Sequence, residues 1–397
     1  MRGAEWEARA LKSDNEKPTY MQLSAVELFA GIGGFRISCD QLEIQTTWSI
    51  EINELSSKIY TENFGNIGHI NGDINQYIEE VPNHDLLTAG FPCQPFSSAG
   101  KKLGIGDTRG TLFESIVNIL ERKRPKYFVL ENVKRLLSMD KGKHFATILD
   151  ALAELDYLIE WRLLDAANFG IPQSRERIVI TGRLITKANL SNLCCKEDLS
   201  DLAPRSISKI CNKSEWSQIS DHTQRFCSWG MAKNGRFCHA EIETFTQKQD
   251  HIGLTDILEE RPGKNYFFTE DTTKRIKEST YVNRMVNGVR ILYNQKGGAR
   301  MGYTIFGIDG LAPTLTCTTS RHYERYKIGN EYRRLTPTEY ARIQGFPDDH
   351  CSSAKKYDQY GLYGNAVPPP LAKWAIERTI SKSLLNLSEL DYQLSIL

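Results

Sequence analysis

Five short, apolar, β-prone segments constrain the fold of this chain most, and the first four lead into loops that carry glycine, proline or carboxylates. The segments are SAVELF (24–29), TTWSI (46–50), DLLTAG (85–90), YFVL (127–130) and RIVITG (177–182). Helical spacing occurs between them: in TLFESIVNILER, Phe113, Ile116, Val117 and Leu120 fall at i, i+3, i+4 and i+7. Strands that alternate with amphipathic helices predict an α/β unit with a largely parallel sheet.

Composition places the chain among soluble globular proteins. Its 397 residues, 40% apolar and 25% charged, exclude disorder, collagen and coiled coil as the main state and predict more than one folding unit. A net charge of +1 excludes a uniformly basic coat but permits a local basic face. Nine scattered cysteines, an odd number, argue for a reducing compartment. We expect no membrane span and no signal peptide, because no apolar run is long enough.

The alternation of strands and helices stops near residue 185 and a helical pattern returns near residue 332. The chain between them is first polar, then β-prone with regular glycines, and the later helices are LTPTEYARIQGFP and PPLAKWAIERTI. We therefore predict four segments. They are an N-terminal tail (1–20), the first part of the main α/β unit (21–185), an inserted unit (186–332) and a return to the main unit (333–397).

Ligands of open α/β sheets bind beyond the carboxyl ends of the strands, so the residues there are site candidates. Gly31 and Gly33 lie in a loop after the first strand and would let the backbone approach a ligand closely. Glu51 could accept hydrogen bonds from both hydroxyls of a ribose, and Asp73 could accept one from an exocyclic amine. Each alone is more often a turn or cap residue. Together they predict a nucleoside site without a pyrophosphate requirement.

Cys93 follows Pro92 at the end of the third strand and is the strongest candidate nucleophile. Burial as a small apolar side chain explains most of the other cysteines, but it explains this proline-flanked loop less well. A thiolate there suits conjugate addition to an electron-poor ring carbon. Glu131, at the next strand end, could donate a proton to a ring nitrogen if burial raises its pKa. Arg175 and Arg177, two apart on one strand face, could hold a carbonyl or a phosphate, or form an ordinary surface edge.

The stretch SSAGKKLGIGDTRGT (97–111), rich in glycine and basic residues, follows the candidate nucleophile. It suits a lid that closes over a phosphate-bearing substrate, and an ordinary solvated loop is the alternative.

Ordered blocks of this sequence resemble those of the cytosine-C5 DNA methyltransferases of the prokaryotic modification type. The blocks are VELFAGIGGFR (26–36), WSIEIN (48–53), NGDI (71–74), GFPCQPFSSAGK (90–101), DTRGTLF (107–113), ENV (131–133), FGIPQSRERIVI (169–180), RRLTPTEYARIQGFP (333–347) and YGNAVP (363–368). The resemblance implies a Rossmann-like domain that uses S-adenosylmethionine (AdoMet), with a smaller target-recognition domain inserted at 186–332. One position departs from the pattern, because Leu362 stands where many members carry a glutamine.

The resemblance also implies a role for individual residues. Cys93 would attack C6 of a cytosine flipped out of duplex DNA, Glu131 would protonate N3, and Arg177 would contact O2 with support from Arg175 and Gln173. AdoMet would be held by Phe29, Gly31, Gly33, Glu51, Ile52, Asp73, Ile74, Pro92, Asn365 and Val367. DNA would be contacted by Ser97, Lys101, Arg109, Thr314, Arg321 and Arg325. No metal is implied.

The function implied is methylation of a specific duplex DNA sequence, as the modification enzyme beside a cognate restriction endonuclease, in the cytoplasm of a prokaryote and at its nucleoid. Two alternatives remain: an RNA cytosine-C5 methyltransferase, and a catalytically silent DNA-binding regulator. The large insertion and the basic stretch 284–334, with nine Lys/Arg against three Asp/Glu, favour DNA. Intact Cys93, Glu131 and Arg177 argue against the silent regulator. Zinc binding is disfavoured for Cys211, Cys227, Cys238 and His239, because they contain no C-x2-C pair.

Overall fold

The computed structural model describes residues 23–92, 112–185, 193–194, 216–242, 252–294, 304–316, 324–381 and 385–386. Its strands are β1 (Ser24–Leu28), β2 (Gln45–Glu51), β3 (His69–Asn71), β4 (Leu86–Gly90), β5 (Tyr127–Val133), β6 (Tyr157–Asp165), β7 (Glu176–Leu184), β8 (Leu193–Cys194), β9 (Ser217–Gln218), β10 (Trp229–Lys233), β11 (Arg236–Ala240), β12 (Thr280–Val286), β13 (Val289–Asn294), β14 (Thr304–Phe306), β15 (Arg325–Ile328), β16 (Glu331–Arg333) and β17 (Leu385–Asn386).

The α-helices are α1 (Gly34–Gln41), α2 (Glu54–Phe64), α3 (Ile74–Tyr77), α4 (Leu112–Lys123), α5 (Lys143–Ala153), α6 (Leu254–Ile257), α7 (Glu270–Lys277), α8 (Pro337–Gln344), α9 (Lys356–Asn365) and α10 (Pro369–Ser381). Short 3-10 turns span Ile78–Glu80, Lys134–Leu137, Met139–Gly142, Ala166–Phe169 and Lys264–Tyr266. No helix among these described ranges is long and apolar enough to cross a membrane.

A ten-stranded sheet in the order β3-β2-β1-β4-β5-β7-β6-β10-β11-β9 forms the centre of the molecule. The α/β prediction is confirmed, and all five predicted strands are present. Only the half from β3 to β5 is parallel, however, because β7 runs antiparallel to β5 and the remaining pairs are also antiparallel. An apolar run predicts a strand but not its direction, so the prediction of a largely parallel sheet overstated the parallel part.

Helices cover both faces of this sheet because alternate strand residues point to opposite sides. On one face, Leu87 and Leu130 pack with Ile116 of α4 and Ile148 of α5. On the other face, Ala25, Leu86 and Val129 pack with Phe35 of α1 and with Leu371 and Ala375 of α10. Each fully buried large aliphatic or aromatic side chain contributes about 1.5–3 kcal/mol relative to exposure. The return segment therefore completes a core that the first strands began.

A second sheet of five strands, β12-β13-β14-β15-β16, is antiparallel except for the β14–β15 pair. It shares an apolar cluster with α8, in which Phe306 and Tyr326 meet Tyr340 and Phe346. Residues 216–242, within the predicted inserted unit, instead extend the large sheet through β9, β10 and β11. The predicted segment 186–332 thus supplies strands to both sheets, and the boundaries near 185 and 332 stay predictions.

Candidate active site

The strand order creates a crevice between β1 and β4. From β1 the chain proceeds outward to β2 and β3, and it then returns to β4 on the other side of β1. Such a reversal leaves a gap at the carboxyl ends of the strands, where open α/β sheets bind their ligands. The loops and strand ends at this edge carry most of the described candidate residues.

The loop after β1 is held in an unusual backbone conformation. Phe29, Gly31 and Gly33 all have positive φ angles, of 53°, 55° and 88°. The carboxylate of Glu51, at the end of β2, accepts hydrogen bonds from the backbone N–H groups of Gly31 at 2.8 Å and Asn53 at 2.7 Å. A Cβ at Gly31 would meet nothing within 4 Å, so the loop faces open space beside this carboxylate.

The residues around this space fit a nucleoside. Ile52, next to Glu51, leaves 64% of its surface exposed, which is unusual for an isoleucine and suits a flat apolar partner. The carboxylate of Asp73 caps α3 and accepts from the backbone and side-chain N–H groups of Asn75, both at 3.0 Å. Asn75 in turn accepts a 2.6 Å hydrogen bond from Ser115 of α4. Ile74, between Asp73 and Asn75 in the chain, is buried in the apolar core of the large sheet.

The block YGNAVP closes the crevice from the carboxyl-terminal side. A Cβ on Gly34 would lie 2.2 Å from the carbonyl oxygen of Val367, and one on Gly90 would lie 2.9 Å from its Cγ2. Val367 therefore sits between the end of β4 and the start of α1, where only glycine leaves room for it. Asn365 and Pro92 are exposed near the same edge.

Behind the glycine loop, β1 buries the side chain of Glu27. Its carboxyl group accepts a 3.0 Å hydrogen bond from the hydroxyl of Tyr60 on α2. Burial raises the pKa of Glu27 to about 8, although the hydrogen bond from Tyr60 and the charge of Arg36 oppose the rise. The acid is thus neutral over much of the physiological range.

Glu131 and Arg177 form a buried ion pair at the ends of β5 and β7. The Nε of Arg177 lies 2.9 Å from Oε1 of Glu131, and both side chains are about 90% buried. The pair arises because β7 runs antiparallel to β5, which places Arg177 opposite Val133 at this edge. Burial raises the pKa of the Glu131 carboxyl, and the charges of Arg177 and Arg175 oppose that rise.

Asn132 connects this strand end to the loop that leads to Cys93. Its Nδ2 donates a 3.0 Å hydrogen bond to the carbonyl of Phe91, and its Oδ1 accepts from the backbone N–H of Val133 at 2.8 Å. Cys93 itself lies outside the described residues. Asn132 belongs to the ENV block, but the sequence alone indicates no role for it, since its partner is 41 positions away.

Arg175 and Gln173 are buried, and their side chains hydrogen-bond within the protein. The guanidinium of Arg175, 1% exposed, donates to the carbonyls of Leu315, Gly364 and Ala366 at 2.9–3.0 Å. Gln173, fully buried, accepts from the N–H of Leu315 at 3.1 Å and donates to Oε1 of Gln344 at 2.8 Å. Both therefore fasten the segment around Leu315 to the edge of the large sheet.

The predicted DNA contacts are mostly outside the described part of the chain, namely Ser97, Lys101, Arg109 and Arg321. The two described residues make contacts within the protein. The hydroxyl of Thr314 donates to the carbonyl of Ser174 at 2.7 Å, and the guanidinium of Arg325 lies 5.6 Å from the ring centroid of Phe268. Within the described ranges, no group of three or more His, Cys, Asp or Glu residues could hold a metal ion.

Comparison with known proteins identifies the family. The family model of the C-5 cytosine-specific DNA methylases matches residues 23–382. The chain belongs to this family. Among its relatives are the type II methyltransferases M1.ScrFI of Lactococcus lactis subsp. cremoris, 35% identical over 87% of this chain and 75% of that protein, and M.HpaII of Haemophilus parainfluenzae, 34% identical over 92% and 90%.

Solved structures show the same fold for this cytosine-specific DNA methylase. A Dnmt2 methyltransferase of S. pombe superposes with a TM-score of 0.59 over 90% of this chain and 98% of its own, at 20% identity. A DNMT2 mutant of Spodoptera frugiperda gives 0.60 over 91% and 100%, at 19% identity. The predicted family, Rossmann-like methyltransferase fold and enzyme class, a DNA cytosine-5 methyltransferase, are confirmed. AdoMet is the methyl donor that this family uses.

Proposed function

We propose that this protein methylates C5 of a cytosine within a specific duplex sequence through a transient covalent bond from Cys93. The buried Glu131–Arg177 pair is the observation that carries the proposal. A carboxyl group whose pKa is raised by burial can act as an acid, and an adjacent guanidinium fixes its orientation. This pair lies at the strand edge where the Cys93 loop begins.

Three residues, Cys93, Glu131 and Arg177, act on the target base in this proposal. The thiolate of Cys93 adds to C6, while Glu131 donates a proton to N3, so that the electrons of the C5–C6 double bond become available at C5. Arg177 holds Glu131 and donates to the O2 of the base. After C5 has taken the methyl group, loss of the C5 proton to a solvent base restores the C5–C6 double bond, the Cys93 thiolate leaves C6, and Glu131 recovers the proton from N3. The base must leave the helix for this, because stacked neighbours cover C6 in duplex DNA.

AdoMet, when bound, supplies the electrophilic methyl group. Glu51 would hold its ribose, Asp73 its adenine amine, and the exposed Ile52 the face of its ring, while Phe29, Gly31 and Gly33 would line its path. Ile74, Pro92, Asn365 and Val367 would complete the pocket. The fit rests on the open space at Gly31 beside a carboxylate and an exposed apolar side chain. A thiol, a carboxylic acid and a guanidinium supply nucleophile, proton and orientation, so we include no metal.

Arg175 is proposed as a positioning residue instead of a substrate contact, since its guanidinium donates to three backbone carbonyls in the interior. DNA contacts are proposed for Ser97, Lys101, Arg109, Thr314, Arg321 and Arg325. We further propose that the enzyme is the modification partner of a restriction endonuclease with the same site, since type II methyltransferases are among its relatives. It would act in the cytoplasm, at the nucleoid.

A mechanism-based trap tests the proposal. Sequencing of methylated cytosines in DNA from cells that express the protein first identifies the target. A duplex with 5-fluorocytosine at that position cannot lose the C5 substituent, so the wild type should form a covalent adduct stable in detergent. Cys93→Ser should form none, whereas Cys238→Ser, a change at a half-buried cysteine in β11, should match the wild type. Methylation by the wild type without any adduct would contradict the covalent route.

A further inference from the structure

His350 contacts the glycine loop that follows β1. It follows α8, is 4% exposed, and places its Nε2 2.7 Å from the carbonyl oxygen of Ile32. A carbonyl can only accept, so Nε2 carries the hydrogen and donates it. The two residues are 318 positions apart, and nothing in the spacing of the sequence connects them.

The backbone around Ile32 has unusual freedom, which this contact removes. Ile32 stands between Gly31 and Gly33, whose φ angles are both positive. The peptide group that joins Ile32 to Gly33 is held on both sides. Its N–H donates to the carbonyl of Ala30 at 2.9 Å, and its carbonyl accepts from His350. Without His350, that carbonyl would be buried with an unsatisfied lone pair, and rotation of the peptide would relieve the cost.

The ring of His350 is itself fixed by its surroundings. It packs against Phe346, with ring centroids 4.9 Å apart, and against Phe64 at 5.9 Å. The backbone carbonyl of His350 accepts a 2.9 Å hydrogen bond from Asn63 of α2. Phe64 also occupies the space that a Cβ on Gly33 would need. Burial lowers the pKa of His350, so the imidazole is neutral at physiological pH.

We propose that His350 is a positioning residue for the methyl-donor site, which it serves by fixing the Ile32–Gly33 peptide in the orientation that binds AdoMet. This inference rests on the proposed donor site at Gly31 and Glu51. Loss of the contact would let the loop occupy orientations that do not bind, and the measured dissociation constant would rise by the inverse of the competent fraction. Chemistry after saturation would be unaffected, because His350 lies behind the loop and touches no reacting group.

Three variants separate this role from simple packing. His350→Phe keeps the ring contacts but removes the donor, His350→Gln keeps an N–H near the Nε2 position, and Tyr360→Phe removes another buried hydrogen bond, to the carbonyl of Leu335, elsewhere in the same apolar cluster. Calorimetric titration with S-adenosylhomocysteine measures binding, thermal unfolding measures stability, and steady-state methylation gives kcat and the KM for DNA.

We expect His350→Phe to weaken binding of S-adenosylhomocysteine about 10-fold, the scale of one lost hydrogen bond to a buried carbonyl. Its kcat at saturating AdoMet and its KM for DNA should stay within about twofold of wild type. His350→Gln should recover most of the affinity, and Tyr360→Phe should lower the melting temperature without changing affinity. The proposal would be overturned if His350→Phe bound S-adenosylhomocysteine as tightly as wild type, or if Tyr360→Phe lost affinity for it to the same extent.

The outcome is separable from failure of the donor site itself. If the wild type did not bind S-adenosylhomocysteine, or Glu51→Ala bound it as well as wild type, the proposed site would be wrong. If His350→Phe did not fold, a comparison of His350→Gln with His350→Asn would serve the same purpose, because the shorter amide of asparagine cannot reach Ile32. If neither folded, NMR of wild-type protein labelled with 15N-histidine would show whether Nε2 of His350 carries the hydrogen. A His350 ring without hydrogen on Nε2 would contradict the proposal.

Discussion

The side chain of Asn132 donates a 3.0 Å hydrogen bond to the carbonyl of Phe91, and so holds the entry of the Cys93 loop against the strand that carries Glu131. Phe91, two residues before Cys93, is therefore tied to the strand that carries the proposed acid through one buried amide. Asn132 is 2% exposed, so water does not replace this contact in the folded state.

Replacing Asn132 with Ala should slow methylation more than it weakens donor binding. The change leaves a buried carbonyl without a donor, which costs about 1–3 kcal/mol, and it frees the loop entry. We expect kcat to fall about 10- to 100-fold, the usual scale for a misplaced reacting group, with little change in affinity for S-adenosylhomocysteine. Single-turnover methylation and calorimetry measure the two effects. Equal losses in both would indicate general unfolding instead of loop placement.

Glu131→Gln should reduce kcat by roughly 100-fold or more, because an amide cannot deliver the proton. In the wild type, the raised pKa of Glu131 keeps part of the carboxyl protonated at higher pH than an exposed glutamate. Since only the protonated form is active, kcat should decline as the pH rises past that pKa. A pH profile of single-turnover rates checks both points. A variant with unchanged turnover would exclude Glu131 as the acid.

Gly31 and Gly34 should respond differently to alanine. At Gly31 an added methyl meets nothing within 4 Å, so Gly31→Ala carries mainly the cost of a positive φ, about 1–2 kcal/mol. The methyl enters the proposed donor space, and affinity for S-adenosylhomocysteine should fall. At Gly34 it would meet the Val367 carbonyl, so Gly34→Ala should lower the melting temperature strongly. The opposite pattern would place the donor elsewhere.

Glu27→Gln should stabilise the protein at alkaline pH and not at acidic pH. The pKa of Glu27 is about 8 in the folded state and near 4.5 in the unfolded state. Between those values only the unfolded state loses the proton, so wild-type stability falls as pH rises, by up to roughly 4 kcal/mol from pH 5 to pH 8. Glutamine still accepts from Tyr60 and does not titrate.

Denaturant unfolding at pH 5, 6, 7 and 8 measures this difference between variant and wild type. Glu80→Gln, a change at an exposed carboxylate, is the control and should show no such trend. A stability difference between Glu27→Gln and wild type that stayed constant with pH would show that Glu27 is ionised in the folded protein.

The sequence predicted four strands of the parallel half of the large sheet, β1, β2, β4 and β5, because each combines an apolar run with a turn signal, but it did not predict the short β3 (HIN). It did not predict β6 or the extension by β9, β10 and β11. Trp229 and Met231 of β10 are buried beside β6, yet the surrounding chain is mostly polar and lacks a clear alternation of strands and helices. The block YGNAVP begins inside α9, which ends only at Asn365.

For the site, spacing along the chain was enough to place residues at strand ends but not to choose their partners. Glu51 and Glu131 lie at the predicted edge because strand ends meet there. Arg175 was grouped with Arg177 on one strand face, but its carbonyl partners lie 140 to 191 positions away. Such long-range contacts depend on how the return segment docks, which no local pattern contains. The same holds for His350 and Ile32.

The docking of Val367 and α10 against the first helix also has a consequence for biosynthesis. A nascent chain that has emerged only as far as the second sheet still lacks three contacts of the return segment. Val367 does not yet border the crevice between β1 and β4, His350 does not yet bind the Ile32 carbonyl, and α10 does not yet cover its face of the central sheet. Competence for methyl transfer should therefore arise late, after the ribosome has released the return segment, and incomplete translation products should be inert toward the host's DNA.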